Sequence, residues 1–283
     1  MSVEVWAMMA AGVAALIVGI VLLGARFRAA AGVGKILVLG PVFEAVALGM
    51  FAAEHFTASR ELMGIVPKWL PGPLFWTYFF GVALAAAAIS LVVWRGVRWS
   101  SVGLVLFFWI IVLVVDLPGL SKEMHDRFFW ILTVRETCFG AAALVLAGSV
   151  WGRAVLVRVG RVIVGVVMVF YAIEHFLHPR NVPGVPLEKM TPGWIPGAVA
   201  IAWIVGLVLL VCGVGMFARR TARVATAFAG AVLVLLVVFF YVPILLGEMH
   251  TKLAVEGLNY VGDTLLFAAT VLLAGWGVAG EER

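Results

Sequence analysis

The sequence predicts an all-α membrane protein, a polytopic bundle of about nine transmembrane helices. Two parallel four-helix repeats and one additional N-terminal helix would build this bundle. Three observations support the prediction. Hydrophobic residues make up 64% of the 283 positions and charged residues only 12%; apolar runs long enough to cross a bilayer recur along the chain; and a set of polar motifs appears twice. The lipid bilayer is therefore the expected solvent.

The apolar runs set the expected order of the helices. Each is roughly 17–25 residues long, the length that an α-helix needs to cross the hydrocarbon core. Because the sixth run is short, its helix is expected to begin earlier, within 155–159. The predicted spans are Val5–Gly24, Ile36–Phe56, Pro73–Trp94, Val102–Leu120, Phe128–Val150, Val162–Phe176, Ala198–Phe217, Val224–Leu246 and Leu258–Gly277.

The polar motifs divide the chain into two similar halves. A Glu-His pair followed by an arginine, a Pro-x-Trp-[Leu/Ile]-Pro-Gly motif and a Glu-Met-His motif after a proline all occur in both halves. The repeated residues are Glu54, His55, Arg60, Trp69, Glu123 and His125 in the first half, and Glu174, His175, Arg180, Trp194, Glu248 and His250 in the second. This repetition predicts an N-terminal helix and basic loop over 1–35, a first unit over 36–151 and a second over 152–283.

The distribution of basic residues predicts the orientation in the membrane. Arginines follow the first, third, fifth and seventh spans, and the loops after the third, fifth and seventh contain no acidic residue. The positive-inside rule then places the N-terminus outside, the C-terminus inside and every repeated motif on the outer face of a bacterial cytoplasmic (inner) membrane. The net charge of +5 follows from these loops, so a nucleic-acid partner is not needed to explain it.

Two acidic residues lie within apolar spans and are candidates for proton transfer. Allowing a two-residue insertion, Glu136 in the first half aligns with Asp263 in the second. An ionisable group in hydrocarbon costs about 3 kcal/mol, so such groups usually face the interior of a bundle and serve a pathway. Arg135 is adjacent in sequence but points about 100° away on a helix. The pattern therefore predicts two acids without a basic partner, acting as a proton relay.

The repeated polar residues allow several ligands. A quinone headgroup or another cofactor would meet Glu54, His55, Arg60, Trp69, Glu174, His175, Arg180 and Trp194. Imidazole and carboxylate groups equally suit a divalent metal, with candidate ligands His55, Glu123, His125, His175, Glu248 and His250. Haem held between the two repeated histidines is a less favoured option. In the simplest structural alternative, Arg60 and Arg180 neutralise the glutamates and the tryptophan motif is an interfacial turn.

Three stretches of the first half resemble the DoxX-like membrane family. They are Ala53–Phe56 (Ala-Glu-His-Phe), Pro67–Gly72 (Pro-Lys-Trp-Leu-Pro-Gly) and Phe75–Leu84. The resemblance is clear over 36–150 and weaker over 155–277. It implies a four-helix membrane unit. Because the family includes the small membrane subunit of thiosulfate:quinone oxidoreductase, it also implies quinone chemistry with a partner redox subunit.

Three functions follow from the sequence as alternatives. The first is a quinone-linked redox subunit with paired Glu/His sites on the outer face. The second is a proton- or metal-coupled transporter of a small molecule. The third is a structural subunit that anchors a larger complex in the membrane.

Overall fold

A computed structural model describes residues 1–185 and 189–278, and in these ranges the protein is a bundle of α-helices. Nine helices there are long and apolar enough to cross a membrane, which confirms the predicted fold class. We label them in chain order: α1 Val3–Ala29, α2 Gly34–Thr57, α3 Pro73–Val93, α4 Val97–Lys122, α5 Arg127–Trp151, α6 Ala154–Leu177, α7 Ala198–Gly215, α8 Arg219–Glu248 and α9 Ala254–Val278. The predicted second unit, 152–283, includes eight residues (186–188 and 279–283) outside the described ranges.

The helices are longer at their basic ends than the hydropathy pattern predicts. Helix α6 begins at Ala154 rather than within the apolar run, and it includes Arg161, which the sequence places in a basic loop. The Arg161 side chain is buried and donates a hydrogen bond to the carbonyl of Met216, directly after α7. A basic side chain at a helix C-terminus satisfies a carbonyl that lacks an intrahelical donor. A basic side chain from α6 therefore caps the end of α7.

The Pro-x-Trp-[Leu/Ile]-Pro-Gly motifs form the turns that precede α3 and α7. Each ends in a glycine with left-handed backbone, Gly72 with φ 70° and Gly197 with φ 67°. Residues with a Cβ rarely adopt this conformation, so glycine sets the direction in which the helix begins. Trp69 and Trp194 are 71% and 62% exposed. This exposure is what we expect of tryptophans in an interfacial turn.

Helices α4 and α8 each contain a π-helical turn at equivalent positions. The turns span Val112–Asp116 and Val237–Tyr241 and are followed two residues later by Pro118 and Pro243. Proline has no backbone N–H and its ring displaces the carbonyl four residues earlier, which lies within the π turn in both cases. The sequence predicts a kinked or broken helix at these prolines. The structure keeps each helix unbroken and places one π-helical turn, which is wider than an α-helical turn, before the proline.

The helices of the two halves pack in the same order around a shared centre. Helix α2 packs on α3 and α4 on α5; correspondingly, α6 packs on α7 and α8 on α9. The halves join where α5 meets α6 and where α9 meets α2, and α5 also contacts α9. Helices α5 and α9 run parallel, since Arg135 contacts Asp263 and Val145 lies beside Gly277. The two helices thus form the centre of the bundle.

Helix α1 lies outside this arrangement and packs mainly on α2. Its glycines Gly12 and Gly19 lie against Met50 and Val42, which allows the two helices to approach closely. Only 22% of its most apolar window is buried, against 89% for α9. A helix with so much exposed apolar surface is suited to contact lipid.

Candidate functional site

The two predicted relay acids lie side by side at the centre of the bundle. Glu136 and Asp263 each lie nine residues after the first residue of their helix, a distance of about 13 Å along the axis. Because α5 and α9 are parallel neighbours, equal depth brings the two carboxylates to the same level. The parallel repeat therefore builds one shared acidic centre and not two separate ones.

Arg135 binds both carboxylates, so the prediction that these acids lack a basic partner is wrong. Its Nη1 lies 2.5 Å from Asp263 Oδ2, and its Nη2 lies 3.0 Å from Glu136 Oε1. The guanidinium stands at the end of a long flexible side chain, so the 100° angle between Arg135 and Glu136 at the backbone does not keep their charged ends apart. Its counterpart in the second half is Gly262, which packs against Phe51 and brings no second cation to the centre.

Asp116 is a further acidic residue of the centre, and the sequence reasoning missed it. It ends the π turn of α4, is 6% exposed, and its Oδ2 has no hydrogen-bond partner among the described residues. Arg135 and Glu136 are its charged neighbours. The sequence feature that could have identified Asp116 is its position as a carboxylate within the apolar span Val102–Leu120, two residues before Pro118.

The repeated glutamates point into the bundle and do not pair as the simplest alternative expects. Glu54 Oε1 accepts a hydrogen bond of 2.8 Å from Asn259 Nδ2 on α9, and Glu174 Oε2 accepts one of 2.6 Å from Arg127 Nε on α5. Both helix ends face the central helices rather than their own loops, so partners come from α9 and α5. The arginines proposed as counter-ions, Arg60 and Arg180, are both exposed.

The repeated histidines have the same ring orientation in both halves. Nδ1 of His55 lies 2.8 Å from the carbonyl of Phe51, and Nδ1 of His175 lies 2.6 Å from that of Tyr171. A carbonyl only accepts, so Nδ1 carries the proton and Nε2 of the neutral ring is an acceptor. Gly81 and Gly206, matched in the repeat, lie against the Cβ atoms of His55 and His175.

The second half differs because its outer loop enters the bundle. Gly184 donates its backbone N–H to His175 Nε2 at 2.8 Å, and the carbonyl of Pro183 accepts a bond of 2.6 Å from the Tyr241 hydroxyl. Val182 and Val185, on either side, are fully buried. We call Val182–Val185 the plug. The plug occupies Nε2 of His175, and the carbonyl of Tyr171 occupies Nδ1, so metal or haem ligation through Nε2 would require the plug to leave.

The remaining predicted metal ligands are dispersed. Glu123, His125 and His250 are exposed, and Glu248 forms an ion pair of 2.9 Å with Lys189. Within residues 1–185 and 189–278, no group of three or more His, Cys, Asp or Glu side chains is arranged to hold a metal ion. The predicted metal-binding residues are thus not brought together, whereas the relay candidates are.

Comparison with known proteins gives a partial family match. A family model described as a domain of unknown function (DUF8561) matches residues 44–127, which run from Glu44 in α2 to the start of α5. No curated protein and no solved structure matches the chain. The matched segment contains Glu54, His55 and Asp116, and its description assigns no activity.

Proposed function

We propose that this chain is a proton-exchanging protein of the bacterial cytoplasmic membrane, acting as a quinone-linked redox subunit. The observation that supports this is the imbalance of charge at its centre. Among the described residues, Asp116, Glu136 and Asp263 interact with one guanidinium, that of Arg135, and a fourth acid, Glu54, lies near Asp263. If all four were ionised, the net charge would be −3, four negative charges against one positive.

A surplus of buried charge is costly, and protons remove it. Moving an isolated carboxylate into a low-dielectric interior costs several kcal/mol, so such groups hold protons instead. Arg135 neutralises about one carboxylate. The others lower their energy by sharing protons, which makes the cluster a reservoir that takes up and releases them as its surroundings change.

Polar side chains connect this reservoir to one end of the bundle. Glu54, near the end of α2, accepts a hydrogen bond from Asn259, which lies one helical turn before Asp263 on α9. Arg135 then joins Asp263 to Glu136. In the orientation that the positive-inside rule predicts, this end faces outward. Protons would then exchange with the outer side and not with the cytoplasm.

We choose a quinone as the ligand because its redox chemistry moves protons and because of the DoxX-like resemblance. Oxidation of a hydroquinone to its quinone releases two electrons and two protons. In this direction the electrons would pass to a partner redox subunit and the protons to the acidic cluster. In the reverse direction, quinone reduction, which the resemblance implies, the partner would supply the two electrons and the cluster the two protons. His55 Nε2, an acceptor at the same end of the bundle, is placed to receive a hydrogen bond from a ligand hydroxyl.

One observation also favours a proton-coupled transporter as the second candidate. The cluster is built across both halves, since Arg135 and Glu136 lie on α5 and Asp263 on α9. In transporters built from parallel repeats, the site lies between repeats that rock against each other. A rocking movement of the two halves would separate Arg135 from Asp263. Asp263 would then lose its counter-charge and take up a proton, which would couple the movement to protonation. A structural anchor subunit requires neither ligand binding nor proton exchange.

The two functions are separated by proton counting. Purified protein in weakly buffered detergent is mixed with a short-chain hydroquinone or with the corresponding quinone, and bound ligand and released or absorbed protons are measured. We expect ligand binding to change the number of bound protons, and expect Glu136→Gln with Asp263→Asn to remove this change. Absence of binding of either form, with solute-dependent proton flux in proteoliposomes, would replace the redox function by transport.

A further inference from the structure

We propose that the first half alone contains a ligand slot, between His55 and Asp116, and that it takes a headgroup of the hydroquinone type through hydroxyl groups that the ligand donates. This inference rests on the proposed function. The sequence predicts one Glu/His site in each half, and this inference keeps only the site of the first half. It also specifies which redox form of the ligand binds.

The second half shows what fills the equivalent slot. The carbonyl of Pro183 and the N–H of Gly184 belong to one peptide group, which accepts from Tyr241 and donates to His175. This planar group therefore spans the space between α6 and α8. Gly184, with φ +107°, lies against Leu236 and Tyr241, so the plug fills the slot with backbone.

The first half has the corresponding residues, and in the described part of the chain no backbone segment bonds them as the plug does in the second half. His55 corresponds to His175, and Asp116 corresponds to Tyr241, because each of the latter two ends its π turn. The loop 58–72 is five residues shorter than the loop 178–197. It forms a short helix, Ser59–Leu62, and among the described residues it provides no hydrogen bond to Asp116 Oδ2 or to His55 Nε2. Helix α6 packs directly on α9, whereas the described parts of α2 and α5 make little direct contact.

Two polar atoms of the first half are consequently left for a ligand. Among the described residues no group hydrogen-bonds His55 Nε2, although the carbonyl of Phe51 holds its ring as that of Tyr171 holds the ring of His175. Asp116 Oδ2, in a side chain more than nine-tenths buried, also has no partner there. An unpaired buried atom such as Asp116 Oδ2 is costly, and a bound ligand could hydrogen-bond both this atom and His55 Nε2.

The chemistry of these atoms selects the form of the ligand. His55 Nε2 accepts, so the ligand must donate a hydrogen bond there. A hydroquinone has two hydroxyl donors, whereas the quinone has only carbonyl acceptors. Asp116 accepts when it is ionised and can also donate when it is protonated, so His55 sets the preference between the two redox forms. The first half therefore fits the reduced, hydroxyl-bearing form.

The test compares the redox forms and the two halves. Binding of a short-chain hydroquinone and of its quinone is measured for wild-type protein, His55→Leu, Asp116→Leu and the matched second-half variant Tyr241→Phe. Wild type should bind the hydroquinone at least tenfold more tightly than the quinone. His55→Leu and Asp116→Leu should each weaken hydroquinone binding about tenfold, the effect of one lost hydrogen bond. Asp116→Leu should not lower the melting temperature, because it removes an unpaired buried carboxylate.

Tyr241→Phe should leave hydroquinone affinity within twofold of wild type, since it affects the plug alone. Equal binding of the two redox forms, with His55→Leu and Asp116→Leu as tight as wild type, would overturn the slot while leaving the proposed function in place. A loss of binding in Tyr241→Phe equal to that in Asp116→Leu would overturn the assignment to the first half. Absence of binding of both forms by wild type would overturn the proposed function as well.

Discussion

At the scale of single residues, Arg135 is the centre of the electrostatics. It is the basic partner of two buried carboxylates on different helices, and it joins α5 to α9. Removing one partner of a buried ion pair leaves an uncompensated charge, which costs about 3–5 kcal/mol. The side chain therefore holds together the two halves as well as the acidic cluster.

The first prediction is that Arg135→Met strongly destabilises the protein. We expect the free energy of unfolding to fall by about 3–5 kcal/mol, because Glu136 and Asp263 lose their counter-charge. Thermal unfolding in mild detergent measures the change. Arg60→Met, at an exposed arginine, is the matched control and should stay within about 0.5 kcal/mol of wild type. Equal stability of the two variants would show that Arg135 does not neutralise the cluster.

The second prediction concerns the relay acids. Replacing either one by its amide leaves Arg135 with the other carboxylate, so Glu136→Gln and Asp263→Asn should each cost little, about 1 kcal/mol. The double variant leaves the buried guanidinium without either carboxylate and should cost clearly more than the sum of the single changes. A double-mutant cycle on unfolding free energies measures this coupling. Strict additivity would mean that the two acids do not share Arg135.

At the scale of elements, the plug distinguishes the halves. Gly184 has φ +107°, and an added Cβ would lie 2.9 Å from Leu236 Cδ2 and 3.2 Å from Thr264 Cγ2. Both the backbone conformation and the space thus require glycine. The third prediction is that Gly184→Ala lowers unfolding free energy by about 1–3 kcal/mol.

Gly193→Ala is the control for this change, because a Cβ at Gly193 meets nothing within 4 Å. It should leave stability unchanged within about 0.5 kcal/mol. Hydrogen exchange of the Gly184 amide, which His175 Nε2 accepts, provides a local readout and should become faster in Gly184→Ala. Unchanged exchange and stability would mean that the plug does not fill the second slot.

The elements were largely predictable from sequence, and their contacts were not. The lengths of the apolar runs gave the nine spans, and the Pro-Gly motifs gave the turns before α3 and α7, because both depend on local chemistry. The partners of Glu136 and Asp263 depend on which faces of α5 and α9 meet, which an apolar pattern does not specify in lipid. The plug arises from a five-residue longer loop whose path is set by His175 and Tyr241, far away in sequence.

At the scale of the whole molecule, the orientation decides which side supplies the protons. The fourth prediction places the ends of α2, α4, α6 and α8 outside, because the basic loops lie at the opposite ends. Lys122→Cys and Arg98→Cys, at exposed positions of the two sides, are tested with a membrane-impermeant thiol reagent on intact cells. Lys122→Cys should react and Arg98→Cys should not. The native Cys138 and Cys212 are buried and give little background. The reverse pattern would invert the orientation.

The central claim is that the acidic cluster holds protons within the bundle, and infrared spectroscopy tests it most directly. A protonated carboxyl group has a C=O stretching band that shifts in D₂O, separate from the bands of a carboxylate. At neutral pH the wild-type protein should show such a band, and Asp116→Leu combined with Glu136→Gln and Asp263→Asn should weaken it, leaving the part that Glu54 and the buried Glu44 contribute. Absence of the band from the wild-type protein would mean that all four acids are ionised, which contradicts the account.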